Sequence, residues 1–311
     1  MILVEDLEKR YRKADRNAVD GISFEVQAGE FFALLGPNGA GKTTIISILT
    51  TTLAPSGGRA TIDGRDIVRE SSAVRRIVGI IFQRPSLDMN LTAEENVRFH
   101  AILYGLYPYA PTYALMPSAY RRQVVELADL LGITEDIHKP VRTFSGGMRR
   151  KLEIVRSLIH RPKVLFLDEP TAGLDVPSRR TLWEYLGTIR RESGTTIFLT
   201  THYLEEAEAA DHICIIDKGR VVSFGSPTEI KAQLVEEYVL VDADDRTRLR
   251  GELGRLELPV SGAGPFKIML AGRGVHLVLR SIETPLSLVS THAPSLEDAY
   301  LEIVGAGLKD D

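Results

Sequence analysis

The stretch that decides the fold is Gly36-Pro37-Asn38-Gly39-Ala40-Gly41-Lys42-Thr43-Thr44. It matches the pattern G-x-x-x-x-G-K-[ST] and follows the continuously apolar run Phe31–Leu35, which predicts a strand buried on both faces. The segment Lys42–Leu53 that comes next has the length of a helix. Glycines in such a loop let successive backbone N–H groups converge, and the N-terminus of the helix adds positive potential. The sequence therefore predicts a phosphate-binding loop rather than a purely structural turn.

A nucleotide bound at this loop needs partners for its phosphates and for a magnesium ion. We expect Lys42 to reach the β- and γ-phosphates and the Thr43 hydroxyl to ligate Mg²⁺. The residues predicted to bind the nucleotide here are Asn38, Gly39, Ala40, Gly41, Lys42, Thr43 and Thr44.

A second apolar run ends in two acidic residues. Val164–Leu167 predicts a strand through the core, which places Asp168 at its carboxyl end beside the phosphate loop, where it can hold Mg²⁺. Glu169 is then the candidate for accepting the proton of an attacking water. The alternative, an acidic pair that caps the next helix, is disfavoured by the phosphate loop in the same chain.

Composition excludes several classes of protein. The 311 residues are 44% hydrophobic and carry 38 basic and 42 acidic side chains, for a net charge of −4. Such a balance argues against a nucleic-acid-binding role, so no nucleic-acid partner is expected. The one cysteine, Cys214, excludes an intramolecular disulfide and a multi-cysteine zinc site. No apolar run approaches the ~20 residues of a spanning helix, and Met1–Arg10 does not resemble a signal peptide, which predicts a soluble chain.

The order of elements predicts an α/β fold with a mostly parallel sheet, a β-rich N-terminal subdomain and a helical insertion at about 84–160. A break near Gly225-Ser226-Pro227 precedes a small α+β unit. We therefore divide the chain into 1–230 and 231–311. The elements predicted in the smaller unit are strands Tyr238–Val241, Phe266–Leu270 and Val275–Leu279 and helices Arg246–Leu256 and Ser295–Val304.

The segment Phe144-Ser145-Gly146-Gly147-Met148 precedes a predicted helix and forms a second candidate anion site. Alone it would indicate a capping turn. Because it lies about twenty residues before Asp168 in a chain with a phosphate loop, residues 1 to about 230 closely resemble the nucleotide-binding subunits of ABC transporters. The fold implied is a P-loop NTPase of ABC type. The family's signature motif is L-S-G-G-Q, and the departures at Phe144 and Met148 leave Ser145 and Gly146 intact.

The resemblance implies roles for four further residues. Tyr11 resembles the aromatic residue that stacks on adenine, with an ordinary half-exposed tyrosine as the alternative. Gln83 is similar to the Q-loop glutamine that contacts Mg²⁺ or water. Asp175, in Gly173-Leu174-Asp175, resembles the D-loop residue. His202, after a predicted strand, matches the switch histidine near the γ-phosphate, although a histidine at a strand end is often structural.

Two anion sites on separate subdomains cannot readily close on the same ATP. A head-to-tail homodimer resolves this, with Ser145, Gly146 and Gly147 of one copy covering the γ-phosphate held by Lys42 of the other. ATP then links the copies, and hydrolysis through Glu169 releases them. The resemblance thus implies an ATPase that uses ATP and Mg²⁺.

Two further segments of the sequence indicate the type of transporter. Pro294–Leu301 and Met148–Glu153 resemble the corresponding segments of ATPases from the daunorubicin-resistance type of drug exporter. The implied partner is a separate integral-membrane permease of the ABC-2 type, which places this chain at the cytoplasmic face of the cell membrane. The implied task is export of a hydrophobic drug or antibiotic, with lipid or polysaccharide as alternative cargo.

Two alternative functions and the role of one unusual loop are not decided by the sequence. A non-transport ABC ATPase of DNA repair or of ribosomes is the main rival, but the chain has neither a long coiled coil nor a second cassette. A regulatory nucleotide-binding module would require damaged catalytic motifs. Tyr104–Tyr120 holds five of the ten tyrosines and three prolines. It predicts either a loop packed on its own subdomain or a docking surface for the permease.

Overall fold

A computed structural model of the chain describes residues 1–82, 86–171, 173–201, 203–234, 237–256, 258–270, 273–292 and 295–306. The chain forms two compact units, Met1–Phe224 and Gly225–Asp311. None of the helices in the described part is long and apolar enough to span a bilayer.

The strands of the first unit, the last of which ends at the boundary, are β1 (Ile2–Lys9), β2 (Val19–Val26), β3 (Phe31–Leu35), β4 (Gly57–Ile62), β5 (Arg65–Asp66), β6 (Val78–Ile81), β7 (Val164–Asp168), β8 (Thr196–Thr200), β9 (His212–Asp217) and β10 (Arg220–Gly225). Its helices are α1 (Lys42–Leu49), α2 (Ser71–Ile77), α3 (Ala93–Leu103), α4 (Ser118–Leu130), α5 (Gly146–Leu158), α6 (Val176–Ser193) and α7 (Leu204–Ala207).

Six strands form the central sheet in the order β10-β9-β3-β8-β7-β6. The pairs β3–β8, β3–β9, β7–β8 and β6–β7 are parallel, and every residue of β3, β7 and β8 is buried. Parallel strands end at the same edge of a sheet, so β3, β7 and β8 deliver their following loops to one place. The predicted parallel α/β core is confirmed.

A second, antiparallel sheet, in the order β2-β1-β4-β5, supplies the β-rich part of the unit. Phenylalanines from the two sheets pack together: the ring centroids of Phe24 and Phe32 lie 5.2 Å apart, and those of Phe32 and Phe198 lie 5.0 Å apart. Phe166 continues the cluster at 5.2 Å from Phe198. Phe32, Phe166 and Phe198 belong to β3, β7 and β8, so the strands that end at the site share a packed aromatic core.

The helical insertion contains α3, α4 and α5. Helix α3 begins with a capping box, in which the Thr92 hydroxyl accepts from Glu95 N and the Glu95 carboxylate accepts from Thr92 N. In the tyrosine-rich segment, Tyr120 is fully buried and donates to the Glu94 carboxylate at 3.1 Å. Tyr109 is 71% exposed. The segment therefore both packs on its own subdomain and presents side chains to solvent.

Helix α1 is shorter than predicted, because it ends at Leu49 and not at Leu53. The Thr50 hydroxyl donates to Ile46 O at 2.7 Å, and Thr51 adopts a positive φ of 62°. A left-handed residue cannot continue a right-handed helix, so the apolar spacing at Leu53 was misleading.

In the second unit the elements are α8 (Pro227–Leu234), β11 (Tyr238–Asp242), α9 (Arg246–Leu253), β12 (Val260–Ser261), β13 (Phe266–Met269), α10 (Val275–Arg280), β14 (Leu288–His292) and α11 (Leu296–Ala306). An antiparallel sheet of order β12-β13-β11-β14 packs Val239, Val241, Phe266 and Ile268 into a core with Leu249 of α9. Helix α8 packs against α11.

The prediction of a strand at Val275–Leu279 is wrong, because this segment is helix α10. Val278 is buried, while Val275 and Leu279 are partly buried against the same core, which is a helical spacing of three and four. A five-residue segment with four apolar side chains fits either structure, and only the surrounding core decides between them. The strand that actually pairs with β11 is Leu288–His292, whose mixed composition gave no clear alternation.

Candidate active site

The phosphate loop connects β3 to α1, as predicted. Gly39 and Gly41 have φ values of +85° and +110°, which a residue with a side chain rarely adopts. A Cβ atom at Gly41 would also lie 2.5 Å from the carbonyl oxygen of Ala18. Glycine is therefore required at Gly41 by both conformation and space. Ala40 is buried, and its carbonyl accepts from Gly219 N at 3.0 Å, which anchors the loop to the β9–β10 turn.

Lys42, the first residue of α1, is 8% exposed. Its ammonium donates to Gly36 O at 2.5 Å and to Pro37 O at 3.0 Å, so it lies against the loop itself. Burial lowers the pKa of Lys42, and the carboxylates of Glu169 and Asp168 offset part of that shift. The loop thus holds a partly desolvated cation next to two acidic residues, an arrangement suited to a polyanion that carries a divalent cation.

The phosphate loop and the end of β7 form one pocket of about 190 Å³. This volume suits a phosphate chain rather than a whole nucleotide, since sites for complete ligands measure roughly 300–1,000 Å³. The residues that line it are Ala18, Asn38, Gly39, Gly41, Lys42, Thr43, Thr44, Asp168 and Glu169.

Asp168 ends β7 and is 4% exposed. The Thr200 hydroxyl, at the end of neighbouring β8, donates to Asp168 Oδ1 at 2.5 Å. Burial raises the pKa of Asp168, whereas the Thr200 hydrogen bond and the charge of Lys42 lower it. A buried carboxylate that accepts from one hydroxyl and lines the same pocket as Thr43 fits a hard divalent cation such as Mg²⁺.

Glu169 follows directly, with a φ of +48°. Its backbone N–H donates to Thr200 O at 2.9 Å, so β8 fixes the chain just beyond Asp168. The left-handed backbone turns the chain out of the sheet and lets two consecutive acidic residues line the same pocket.

Tyr11, just after β1, is half-exposed, and its hydroxyl lies 3.2 Å from Thr44 Oγ1. This hydrogen bond ties Tyr11 to the phosphate loop. The ammonium of Lys9 lies 5.8 Å from the centroid of the Tyr11 ring. An exposed aromatic ring at the margin of the loop fits the predicted contact with a base.

The signature segment is a separate feature. Ser145 is the N-cap of α5 and accepts from Met148 N at 3.2 Å, while Phe144 is buried beneath it. A Cβ at Gly146 would meet no atom within 4 Å, so the space over this helix end is open. Ser145, Gly146 and Gly147 are not among the described residues that line the phosphate pocket.

Of the three remaining predicted site residues, the structure describes Asp175 but not Gln83 or His202. Asp175 is the N-cap of α6 and accepts from Ser178 N at 2.7 Å, which holds the pKa of its carboxyl below the usual value. It is not among the pocket's lining residues either. Gln83 and His202 lie outside the described residues.

Sequence reasoning missed Arg150, on α5. This side chain is 4% exposed and donates to carbonyl oxygens of Asp168, Glu169 and Pro170. The available signal was the spacing: Arg150 and Glu153 lie three apart on the same helix face as the apolar Ile154, so two charged residues were directed toward the interior.

Comparisons with known proteins agree with this geometry. The model of the family described as ABC transporter matches residues 19–172. The daunorubicin resistance ATP-binding protein DrrA3 of Streptomyces coeruleorubidus is 36% identical over 98% of this chain and 96% of its own length. The Nod factor export ATP-binding protein I of Ralstonia nicotianae is 38% identical over 100% of this chain and 95% of its own.

Solved structures show the same fold. The post-hydrolysis dimer of the ATP-binding cassette MJ0796, bound to ADP and Pi, matches with a TM-score of 0.66 and 25% identity over 73% of this chain and 98% of that one. The predicted resemblance is thereby confirmed. A phosphate loop, an Asp-ended parallel strand and a signature helix in this order, with relatives along the full chain, show that the chain belongs to the ABC transporter ATP-binding subunits and is an ATP-hydrolysing enzyme of that family.

Proposed function

We propose that this chain is the ATP-hydrolysing subunit of an ABC-2 type exporter, which powers a separate permease at the cytoplasmic face of the cell membrane. The observation that carries the proposal is the likeness, over nearly the whole chain, to relatives named for drug resistance and for Nod factor export. The cargo proposed is a hydrophobic drug or antibiotic, with a lipid or polysaccharide as the second candidate. The ATPase domain spans residues 1–230, and an accessory domain spans 231–311.

Mg²⁺ is the metal that the site's donors suit. Thr43 and Asp168 supply a hydroxyl and a carboxylate to one small pocket, and Gln83 is proposed as the third contact. Mg²⁺ would neutralise charge on the phosphates that Lys42 and the loop hold. Glu169 accepts the proton of the attacking water, and His202 approaches the γ-phosphate.

The working unit is a head-to-tail dimer. Its support is the separation of two anion sites, since the phosphate pocket does not include Ser145, whose helix end faces open space. A second copy supplies that helix end in trans, where its N–H groups and dipole stabilise the γ-phosphate. Asp175, exposed at the start of α6, is proposed to contact the same interface.

Mixing two damaged copies tests the trans arrangement. In a Glu169→Gln background, which slows turnover, a Lys42→Met chain and a Ser145→Arg chain each lack one part of every site in their homodimers. Mixed, they rebuild one complete site, from Lys42 of one copy and Ser145 of the other. We expect ATP-dependent dimers in the mixture and in neither component alone. Mixing without effect would contradict the trans arrangement.

The permease is proposed to dock on exposed apolar side chains of the helical insertion. Leu103 is 84% exposed, Tyr109 71% and Leu115 67%, while Tyr120 and Met116 of the same region are buried and hold it in place. Replacing Leu103, Tyr109 and Leu115 by serine should leave the ATPase of the free chain intact and remove its stimulation by the permease.

Reconstitution tests the transporter assignment. The chain is purified from membranes with its multi-span partner, and both are placed in vesicles. We expect ATPase stimulation by the partner and ATP-driven accumulation of an apolar fluorescent drug, abolished by Lys42→Met. Stimulation of the free chain by DNA or by ribosomes, with no effect of the membrane partner, would instead support the non-transport alternative.

A further inference from the structure

Arg150 lies at the centre of a buried polar network between α5, the helix that begins at the signature segment, and the end of strand β7. Its five N–H groups have five acceptors. Nε donates to Pro170 O at 2.9 Å, and Nη2 donates to Asp168 O at 3.1 Å and Glu169 O at 2.9 Å. Nη1 donates to Phe82 O and to Glu153 Oε2, the latter at 3.1 Å. The planar fork of an arginine supplies five donors, so its hydrogen-bonding capacity is fully used.

The same network extends to the residue Ser86. Glu153, 1% exposed, accepts from Ser86 N at 2.8 Å through its other carboxylate oxygen. Arg156 donates to Ser86 O at 2.7 Å and to Ser86 Oγ at 2.6 Å. One face of α5 therefore binds the chain at Phe82, at Ser86 and at three consecutive carbonyls that begin with the last residue of β7.

Such a cluster is a poor device for stability alone. A buried ion pair loses much of its Coulombic gain to desolvation, and well-packed apolar residues often serve as well or better. The geometry instead suits alignment, because four of the five acceptors of Arg150 are backbone carbonyls whose positions it fixes. Among these, Glu169 has a positive φ of 48°, a conformation that persists only when its surroundings hold it. Arg150 holds its carbonyl while Thr200 O holds its N–H.

We propose that Arg150 is a positioning residue for ATP hydrolysis, which aligns the backbone of Asp168 and Glu169 with the chain at Phe82 and so sets where the Glu169 carboxylate lies. Glu153 keeps the guanidinium in place and extends the alignment to Ser86. Because α5 begins at the signature segment, the inference also links the helix that is proposed to contact a second copy with the residues that cleave ATP. It rests on the proposed role of Glu169 as base.

Arg150→Lys is the sharpest test, since lysine keeps the buried charge for Glu153 but has three donors on a different geometry. We expect kcat for ATP to fall about tenfold to a hundredfold, as misplacement of roughly 1 Å does in other active sites. The KM and the directly measured Kd for ATP should change less than about threefold, because the phosphate loop is untouched. A loss confined to folding would lower the active fraction without changing kcat per ATP-binding site.

Arg98→Lys is a matched control. Arg98 is also buried and also pairs with a glutamate on its own helix, Glu94, but its contacts lie within the insertion. Arg98→Lys should lower the thermal midpoint of unfolding about as much as Arg150→Lys does, and should leave kcat per ATP-binding site unchanged. Equal losses of kcat in Arg98→Lys and Arg150→Lys would overturn the inference, as would an unchanged kcat in Arg150→Lys.

Glu153→Gln provides a second readout if Arg150→Lys does not fold, because it keeps the shape and one acceptor. It should lower kcat about threefold to tenfold with the Kd for ATP unchanged, and unaltered kcat would contradict the inference. Glu169→Gln separates this idea from the function on which it rests. If Glu169→Gln hydrolyses ATP normally, the base assignment fails; if only Arg150→Lys does so, the positioning role fails alone.

Discussion

Thr200 Oγ1 lies 2.5 Å from Asp168 Oδ1, and the two residues are register partners on the parallel strands β8 and β7. Both are almost fully buried, at the edge of the sheet where β3 also ends and the phosphate loop begins. The hydroxyl donates to the carboxylate, so it fixes the orientation of that group and opposes the rise in the pKa of Asp168 that burial causes. The order of strands in the sheet thus orients the carboxylate that we propose as a metal ligand.

We predict that Thr200→Val raises the Mg²⁺ concentration needed for half-maximal ATPase about fivefold to twentyfold, in line with roughly 1.5 kcal/mol for a hydrogen bond to a charged group. Valine keeps the shape but cannot donate. Thr196→Val, at the opposite end of β8, is the control, since Thr196 is equally buried and accepts from Gly29 N at 2.9 Å. An equal Mg²⁺ shift in both variants would contradict the specific role of Thr200.

Two glycines of the phosphate loop should respond differently to alanine. An alanine at position 41 would place its Cβ 2.5 Å from Ala18 O and would have to adopt a φ of +110°. A Cβ at Gly39 would meet no atom within 4 Å, although the backbone φ there is also positive, at +85°. Gly39→Ala bears conformational strain alone, about 1–3 kcal/mol. We expect Gly41→Ala to abolish detectable ATP binding, measured by calorimetry, and Gly39→Ala to fold and retain weaker binding. Comparable binding by the two variants would contradict the close approach to Ala18.

The capping box of α3 should give the insertion a pH-dependent stability. Hydrogen bonds from Thr92 hold the pKa of Glu95 below its usual 4.5. A lowered folded-state pKa means that this stabilisation is fully present above about pH 4.5 and is lost as the pH falls through the folded value. Glu95→Ala should therefore lower the free energy of unfolding at pH 7, and the difference from wild type should shrink toward pH 4.

Denaturant titrations at each pH measure this difference. Thr92→Ala should cost about 1 kcal/mol at pH 7, and Thr92→Ser, which keeps the hydroxyl, far less. A difference between Glu95→Ala and wild type that grows as the pH falls would contradict the sign.

The sequence allowed the site's short-range parts to be predicted, because a phosphate loop is defined by consecutive residues. Gly36–Thr44 and the strand that ends at Asp168 are each recognisable from a continuous stretch of residues. The parallel sheet was predicted because buried strands alternate with helices along the chain. The ABC family followed from the order of these motifs with Ser145-Gly146-Gly147.

What escaped prediction depends on tertiary contacts. Helix α10 could not be distinguished from a strand, since the helical spacing of its four apolar residues is evident only from their packing against the core of the second unit. The role of Arg150 was not predicted because four of its five acceptors are backbone carbonyls, at residue 82 and at residues 168–170, and no side-chain pattern in the sequence records such contacts. The one sign in the sequence was a charged residue on the apolar face of the predicted helix.

The central claim is that two copies close head to tail on ATP and that Glu169 opens them by hydrolysis. The most direct measurement is the mass in solution of the Glu169→Gln variant, by light scattering on a sizing column with and without Mg·ATP. We predict twice the 34.4 kDa of one chain with Mg·ATP and a single chain without it, and turnover below one hundredth of wild type. A Glu169→Gln protein that binds ATP but stays monomeric, or that hydrolyses it at the wild-type rate, would contradict the account.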